Sequence, residues 1–346
     1  MFKSLNYSRA RLARLAGVVV AVVSLVTASE MQAAEYTNFV DIKFVDIPAG
    51  SFKMGSCKVT TAMQKDNKRR VFLGLTPRTA DCEIDNPNAN DNETPQHTVN
   101  IRAFRMGQTP ITLGQFKKYV AAIDAADGSS GWNLVNDEFK KLNAYGDNAP
   151  VVQISWLEAK EFTEWLNDSK PANDHHVYRL ASEAEWEYAC HAGGNHTYCG
   201  SDNGDAIGWI DRYNNPHQRD VATKAPNAWG LYDMTGNVWE WVEDVYHETY
   251  KGAPLDGSAW TSVNLASQKA VPIIASGNQA VPDGPSHVVP ARAGKVWKRD
   301  TTTDRVLRGG SWRFGPEFAR ATYRLNAGPG NWYYGNGFRI AATLPK

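Results

Sequence analysis

Residues 178–190 read YRLASEAEWEYAC, and their pattern predicts a short helix over 182–190. Ser182 is of the type that caps helices, and Glu185 stands three residues later, where its carboxylate can bond back to the cap. Such a reciprocal pair satisfies backbone N–H groups that the first turn of a helix leaves without partners. The helix is therefore expected to begin directly after Ser182.

Two further segments predict helices, and a third predicts strands. Residues 155–167, SWLEAKEFTEWLN, repeat the Ser-x-x-Glu pattern and place three large apolar residues on one helical face. Residues 112–123, TLGQFKKYVAAI, begin with a threonine cap and carry apolar residues at helical spacing. Residues 44–56, FVDIPAGSFKMGS, alternate apolar and polar, which predicts two strands paired at an Ala-Gly turn.

Turns dominate the rest of the chain. Its 28 glycines and 17 prolines are scattered rather than clustered, and the sequence has no internal repeat of about 20–50 residues. Residues 57–92 are polar and rich in Asn and Asp, and residues 261–303 are rich in Ala, Pro, Ser and Val, so both are predicted to be loop insertions. The prediction is a single α+β domain over 35–346, with short helices, short strands and much ordered loop.

The composition excludes several classes of protein. Of the 346 residues, 42% are hydrophobic and 21% are charged, which rules out a disordered, collagen-like or coiled-coil chain. Lys and Arg together number 37, as do Asp and Glu, so no net field favours nucleic acid as a partner. The 12 tryptophans fit either a ligand-contacting surface or aromatic packing in a fold with little regular structure.

Residues 1–34 are predicted to be a secretory signal peptide. Residues 2–14 contain four basic residues and no acidic one, and the apolar run Leu15–Ala28 has the length of a signal h-region but is short for a membrane span. The alternative is an uncleaved anchor. No later run approaches membrane length, so we expect a periplasmic or secreted protein with no membrane span after cleavage.

Cysteine usage fits an oxidising compartment. The four cysteines allow three pairings, and we favour Cys57–Cys82 and Cys190–Cys199 because the members of each pair are close in sequence. A metal site is the alternative for the second pair, since two histidines lie between its cysteines. That spacing matches no zinc template.

Five motifs, in order, resemble the formylglycine-generating-enzyme family, whose other name is the sulfatase-modifying factor family. They are IPAGSFKMGS at 47–56, YRLASEAEWEYA at 178–189, PNAWGLYDMTGNVWEWVED at 226–244, RVLRGGSW at 305–312 and GNGFRIA at 335–341. The resemblance extends over almost all of the predicted domain. It implies an irregular α+β fold related to C-type lectins.

The resemblance fails at the catalytic cysteines. Sulfatase-activating members have two cysteines after a Gly-Gly-Ser motif, and these bind copper. Alignment on Gly309–Ser311 places Phe314 and Ala319 at those positions, and neither residue supplies a thiolate. The iron site of the hercynine-oxidising relatives, a His-plus-carboxylate set, has no match either. The sequence therefore supports neither copper nor iron, and formylglycine formation by the thiol route is not expected.

A calcium site of the family does match this sequence. The resemblance implies four ligands, the carboxylates of Asp233 and Glu240 and the backbone carbonyls of Gly236 and Val238. Calcium prefers such hard oxygen donors and accepts a mixture of carboxylates and carbonyls. The alternative is an acid-capped turn without an ion. A calcium ion held here is expected to be structural rather than catalytic.

The terminal strip, residues 313–336, is predicted to be the working surface. It is dense in aromatic and basic side chains, which supply most interface energy, and in the family this region lines the active-site groove. The predicted binding residues, which include the tryptophan just before the strip, are Trp312, Arg313, Phe314, Glu317, Arg320, Trp332, Tyr333 and Tyr334. The catalytic candidates are Glu317, Tyr323, Tyr333 and Tyr334. Alternatively, three arginines in or near the strip are buried and paired with acids, namely Arg320, Arg324 and Arg339.

Three functional classes remain open. The stretch GAPLDGSAWTS at 252–262 resembles periplasmic members that act in pyoverdine maturation, and it favours an exported maturation or oxidation factor. The second class is a non-enzymatic module that binds a small molecule, a peptide or a periplasmic protein through a C-type-lectin-like surface. The third is an accessory factor of a periplasmic complex. We prefer the first.

Overall fold

Three β-sheets organise the chain, whose computed structural model describes residues 36–58, 61–75, 88–127, 137–210, 217–261 and 303–344. The predicted signal peptide, Cys82 and nearly all of the 261–303 insertion lie outside the described residues. The described residues belong to one compact unit.

The largest sheet is antiparallel and has five strands. They are β1 (Tyr36–Thr37), β2 (Lys43–Ile47), β5 (Phe104–Gly107), β6 (Tyr178–Leu180) and β11 (Ile340–Ala342). Their order across the sheet is β1-β2-β5-β11-β6. Strand β11, near the end of the chain, therefore lies inside the sheet, between strands from much earlier in the sequence.

A four-stranded sheet contains the WEW motif. It consists of β7 (Trp239–Val245), β8 (Arg305–Arg308), β9 (Leu325–Ala327) and β10 (Asn336–Phe338), in the order β10-β7-β8-β9. Strands β10 and β7 are parallel, with Asn336 opposite Trp239. A third, two-stranded sheet pairs β3 (Gly50–Met54) with β4 (His97–Ile101).

The predicted strand pair at 44–56 is correct in its strands and wrong in its pairing. Strand β2 pairs with β1 and β5, whereas β3 pairs with β4. The linker between β2 and β3 is Pro48-Ala49, and neither residue has a positive φ. A two-residue hairpin turn needs positive φ angles, so the chain leaves the first sheet instead of folding back on it.

Six helices and two 3-10 turns complete the described part of the chain. The helices are α1 (Thr61–Phe72), α2 (Leu113–Asp127), α3 (Asp137–Leu142), α4 (Trp156–Ser169), α5 (Glu183–His191) and α6 (Gly204–Ile207), and the turns are Asp91–Glu93 and Pro316–Phe318. The three predicted helices are confirmed as α2, α4 and α5, and both Ser-x-x-Glu capping boxes form. The predicted loop at 57–92 is not loop throughout, because it contains α1. Its polar sequence lacks the apolar stripe on which helix prediction depends.

Arg339 connects the two larger sheets in sequence, since β10 ends at Phe338 and β11 begins at Ile340. Its side chain is buried. Its guanidinium donates to both carboxylate oxygens of Glu240 on β7, at 2.6 and 2.7 Å, and to the carbonyl of Gly107 on β5, at 3.1 Å. One side chain thus bonds to strands of both sheets.

No helix in the described part of the chain is long and apolar enough to cross a membrane.

Candidate functional site

Buried ion pairs fix the terminal strip in place. Arg320 donates to both oxygens of Glu93 at 2.6 and 2.9 Å, and Arg324 donates to both oxygens of Glu183 at 2.6 and 2.7 Å. All four side chains are buried. Together with Arg339, these contacts favour buried arginines paired with acids over a ligand-contacting role for Arg320.

The side chain of Phe314, which the resemblance aligns with one of the two family cysteines, lies among other aromatic rings. The Phe314 ring lies 5.7 Å from Trp239 and 5.5 Å from Phe318, and Tyr323 lies 5.4 Å from Phe318 and 6.0 Å from Trp239, between ring centroids. These four residues form a closed ring of contacts, which we call the aromatic cluster. Trp239 is buried at its base, and the other three are half-buried.

Ala319, which the resemblance aligns with the second family cysteine, packs against the Gly-Gly-Ser segment. It is buried, and a Cβ placed on Gly310 would lie 2.8 Å from its Cα. Gly310 has a φ of +75°, which glycine adopts at little cost. The Gly-Gly-Ser segment and Ala319 are therefore packed against each other, and a side chain at position 310 would separate them.

The predicted binding residues divide by exposure. Arg313 and Glu317 are exposed, Trp332, Tyr333 and Tyr334 are half-buried, and Trp312 is buried. The Arg313 guanidinium lies 5.0 Å from the centroid of the Tyr334 ring, a cation–π contact. Arg313 and Tyr334 therefore contact each other within the strip.

The tyrosine candidates are suited to donating hydrogen bonds rather than to removing protons. Burial raises the pKa of Tyr323 to about 12, against the opposing charge of Arg320. Burial and a hydrogen bond to Glu138 raise the pKa of Tyr334. Both hydroxyls therefore remain protonated at neutral pH, and a general base must have a pKa nearer the working pH.

Sequence reasoning missed Phe318 and Trp239 as parts of the site. It also missed Asn336, which is opposite Trp239 in the β10–β7 pair, and Gln153, whose neighbour Ile154 donates its amide to the Asn336 carbonyl. Phe318 and Asn336 lie inside the predicted strip, and Trp239 lies in the WEW motif. Gln153 lies two residues before Ser155, the cap of α4, and nothing in the local sequence marks it as part of a site.

The predicted calcium turn is strained and buried. Asp233 and Asn237 have φ angles of +55° and +58°, which non-glycine residues seldom adopt. The Asp233 carboxylate accepts hydrogen bonds from the Ala222 amide at 2.7 Å and the Asn237 side chain at 3.2 Å. Burial raises the pKa of Asp233 to about 6, although the Ala222 hydrogen bond and the Arg339 charge act in the opposite direction. A cation beside Asp233 would stabilise its charged form.

Glu240 is placed differently. Its two oxygens accept from Arg339, and one also accepts from the Trp186 indole N–H at 2.7 Å. The turn thus fits a cation at Asp233 better than at Glu240, whose charge Arg339 already balances. Among the described residues, no group of three or more His, Cys, Asp or Glu side chains could hold a metal ion by itself.

The disulfide between Cys190 and Cys199 is confirmed, which removes both thiols from the alternative metal site. Cys57 is also disulfide-bonded. Its predicted partner, Cys82, lies outside the described residues. The described cysteines therefore include no free thiol.

Comparison with known proteins agrees with the motifs. The model of the sulfatase-modifying factor enzyme 1-like domain matches residues 32–344. The chain belongs to this family. A formylglycine-generating enzyme from Mycobacterium tuberculosis is 26% identical over 285 residues, covering 65% of this chain and 81% of that enzyme.

Two other relatives are similar to this chain. The inactive C-alpha-formylglycine-generating enzyme 2 of Bos taurus is 22% identical over 312 residues, covering 73% of this chain and 87% of that protein. The structure of PvdO from Pseudomonas aeruginosa is 23% identical, with a TM-score of 0.61, and covers 90% of this chain and 98% of PvdO. The PvdO likeness confirms the predicted α+β fold.

Proposed function

We propose that this family member is an exported maturation factor that does not generate formylglycine. The observation that carries the proposal is the aromatic cluster, in which Phe314 stands where a thiol is required, with Ala319 at the second cysteine position. The Cys190–Cys199 disulfide supports export, because disulfides persist in oxidising compartments. The resemblance of residues 252–262 to pyoverdine-maturation members supports the maturation role.

The same site also supports a non-enzymatic binding module as a second candidate. The half-buried rings of the aromatic cluster and the exposed Arg313 are suited to contact a ligand, whereas the tyrosines with raised pKa values are poorly suited to proton abstraction. Both candidates use the same surface. They differ in whether the bound species leaves chemically changed.

We further propose a structural calcium ion at Asp233, with the backbone carbonyls of Gly236 and Val238 as additional ligands. Burial of this carboxylate, which raises its pKa to about 6, supports the proposal because a cation would offset that effect. Glu240 stays a predicted ligand, which would have to share its oxygens with Arg339. The ion would neutralise Asp233 and hold the strained turn.

A gene deletion tests the maturation role. Exported small molecules and proteins from the deletion strain and the parent are compared by mass spectrometry. In the deletion strain we expect one exported species to accumulate with a changed mass. Expression of the wild-type protein should restore the parental mass, whereas expression of the Phe314→Ala variant should restore it poorly. The matched control Phe72→Ala, at a residue that is 89% exposed and outside the site, should restore it fully.

Other outcomes would decide against this role. Conversion of a cysteine peptide to an aldehyde by the purified protein would contradict the loss of formylglycine chemistry. An unchanged exported fraction would contradict maturation. A species that co-purifies with the protein at unchanged mass would instead favour the binding module.

A further inference from the structure

We propose that the aromatic cluster and the buried polar side chains beside it form a subsite for a planar aromatic group that carries acceptor oxygens. The inference rests on the proposed function, since this group would belong to the species that is matured.

Four buried side chains near the aromatic cluster carry polar atoms without hydrogen-bond partners. Within the described part of the chain, no hydrogen-bond partner exists for the indole N–H of Trp239, the indole N–H of Trp312, the amide nitrogen of Asn336, or either amide atom of Gln153. Their exposed fractions are 1%, 7%, 1% and 5%, in that order. Folded proteins pair the large majority of such groups, so unpaired ones at one place require an explanation.

Backbone contacts bring these four residues together. Asn336 is opposite Trp239 in the parallel β10–β7 pair, so the two side chains leave the same face of the sheet. The Ile154 amide donates to the Asn336 carbonyl at 3.2 Å, which places Gln153 next to Asn336. The Trp312 amide donates to the carbonyl of Asn237, two residues before Trp239, at 2.9 Å.

Backbone strain marks the same place. Gln153 has a φ of +65° and Asn237 a φ of +58°. Neither is glycine, and such conformations persist when the surrounding structure enforces them, which occurs most often at functional sites. Strain and unpaired polar atoms therefore coincide around Trp239.

Trp239 belongs both to the set of side chains with unpaired polar atoms and to the aromatic cluster. Its ring contacts Phe314 and Tyr323, both half-buried. Such rings accept a further planar group by offset stacking or edge contacts. Because Phe314 and Tyr323 pack on Trp239, the proposed group could reach the buried indole N–H only if one of these outer rings rotated.

The balance of donors and acceptors sets the chemical class of the ligand. The unpaired atoms comprise four nitrogen donors and one oxygen acceptor, so they match a ligand rich in acceptor oxygens. The exposed Arg313 nearby favours an anionic oxygen, as in an aromatic carboxylate. The cluster supplies the apolar contact for the ring itself.

Three small probes test this assignment on the purified mature protein by ligand-observed NMR titration. They are 4-hydroxybenzoate, cyclohexanecarboxylate, which lacks the aromatic ring, and toluene, which lacks the oxygens. We expect 4-hydroxybenzoate to bind with a Kd of about 1 mM, reasonable for a fragment of this size. The other two probes should bind at least about tenfold more weakly, because each loses one of the two kinds of contact.

Two variants then assign the binding to the subsite. Phe318→Leu removes a ring and keeps apolar volume, so affinity for 4-hydroxybenzoate should fall at least about fivefold. Phe72→Leu is the matched control and should change nothing. Trp312→Phe removes one N–H donor and keeps a ring, so it should weaken 4-hydroxybenzoate about fivefold and leave toluene unaffected.

The outcomes separate this subsite from the proposed function. Equal affinity for the three probes, or 4-hydroxybenzoate binding that neither Phe318→Leu nor Trp312→Phe weakens, overturns the subsite. If trapped water satisfies the donors instead, Trp312→Phe leaves the affinity for 4-hydroxybenzoate unchanged. The deletion experiment is independent of these titrations, so an unchanged exported fraction would overturn the maturation role while leaving measured binding intact.

Discussion

Two arginines seven positions apart have opposite surroundings. Arg320 is buried and paired with Glu93, whereas Arg313 is exposed. Arg320→Ala leaves the Glu93 carboxylate buried without its partner, so we expect the free energy of unfolding to fall by about 3–5 kcal/mol. Arg313→Ala should change it by less than about 0.5 kcal/mol. Urea unfolding of the two variants checks this, and similar losses would contradict the assignment.

The sequence alone does not distinguish buried arginines paired with acids from arginines that contact a ligand, although it allows both interpretations. The partner of Arg320 lies 227 positions away, and the partner of Arg324 lies 141 positions away. No local spacing connects residues so far apart. The motifs did predict which stretch forms the site, because the composition of residues 313–336 is itself local. Gln153 illustrates the limit, since its environment depends on Asn336 from the other end of the domain.

Helix starts are local, and they were predictable for that reason. Ser155 Oγ accepts from the Glu158 amide at 3.2 Å, while the Glu158 carboxylate accepts from the Ser155 amide at 2.6 Å. We expect Ser155→Ala to destabilise the protein by about 1 kcal/mol, because the first turn of α4 loses its cap. Ser169→Ala, at the exposed last residue of α4, is the control and should cost nothing measurable. Equal effects in thermal unfolding would speak against the capping role.

Strand pairing, in contrast, depends on the rest of the chain. The alternation at 44–56 identifies two strands, but their partners β5 and β4 lie about fifty residues later. Helix α1 was missed for a different reason, because its polar sequence carries too few apolar residues to show a buried face. A helix or strand with strong periodicity can therefore be predicted from its own sequence. The strand with which it pairs depends on tertiary packing and cannot be read from local sequence.

For the whole molecule, buried acids predict an unusual pH dependence of stability. Burial raises the pKa of Glu158 to about 7, and burial together with the Glu183 charge raises that of Asp244 to about 7. Native pKa values above those of the unfolded chain mean that the native state binds more protons. The stabilisation that Glu158 and Asp244 contribute is therefore complete below about pH 4 and is lost as the pH rises to about 7.

An opposite effect sets the lower limit of the stable range. Burial acts to raise the pKa of Asp174, but hydrogen bonds from Tyr178 and His176 outweigh it and bring the pKa to about 2. That stabilisation is lost as the pH falls from about 4 to 2. Stability should therefore be greatest near pH 4, and it should be lower at pH 8 than at pH 5 by on the order of 2 kcal/mol or more.

Urea unfolding at pH 5 and pH 8 measures this difference. Glu158→Gln mimics the protonated acid and should flatten the profile, gaining stability at pH 8 and little at pH 5. A free energy of unfolding that rises steadily from pH 5 to pH 8 in both proteins would refute the role of the buried acids.

Calcium should stabilise the folded chain as a whole. A ligand that binds only the native state adds about 2.7 kcal/mol at one hundred times its Kd. We expect the thermal midpoint to rise with millimolar calcium and fall with chelator. Asp233→Asn should remove this response, whereas Glu158→Gln, away from the turn, should retain it. Identical midpoints with calcium and with chelator in the wild-type protein would argue against the ion.

The position of β10 and β11 has a consequence for how the protein is made. These strands, at residues 336–342, complete the four-stranded sheet at its edge and the five-stranded sheet from within. Both strands are synthesised after the strands with which they pair, so neither sheet can be completed until residues 336–342 have been made. Pairing between distant segments is also intrinsically slow. For a chain that is exported as proposed, this delay keeps the polypeptide open for passage through a translocation channel, and a nonsense mutation before codon 336 would release a product that never closes either sheet.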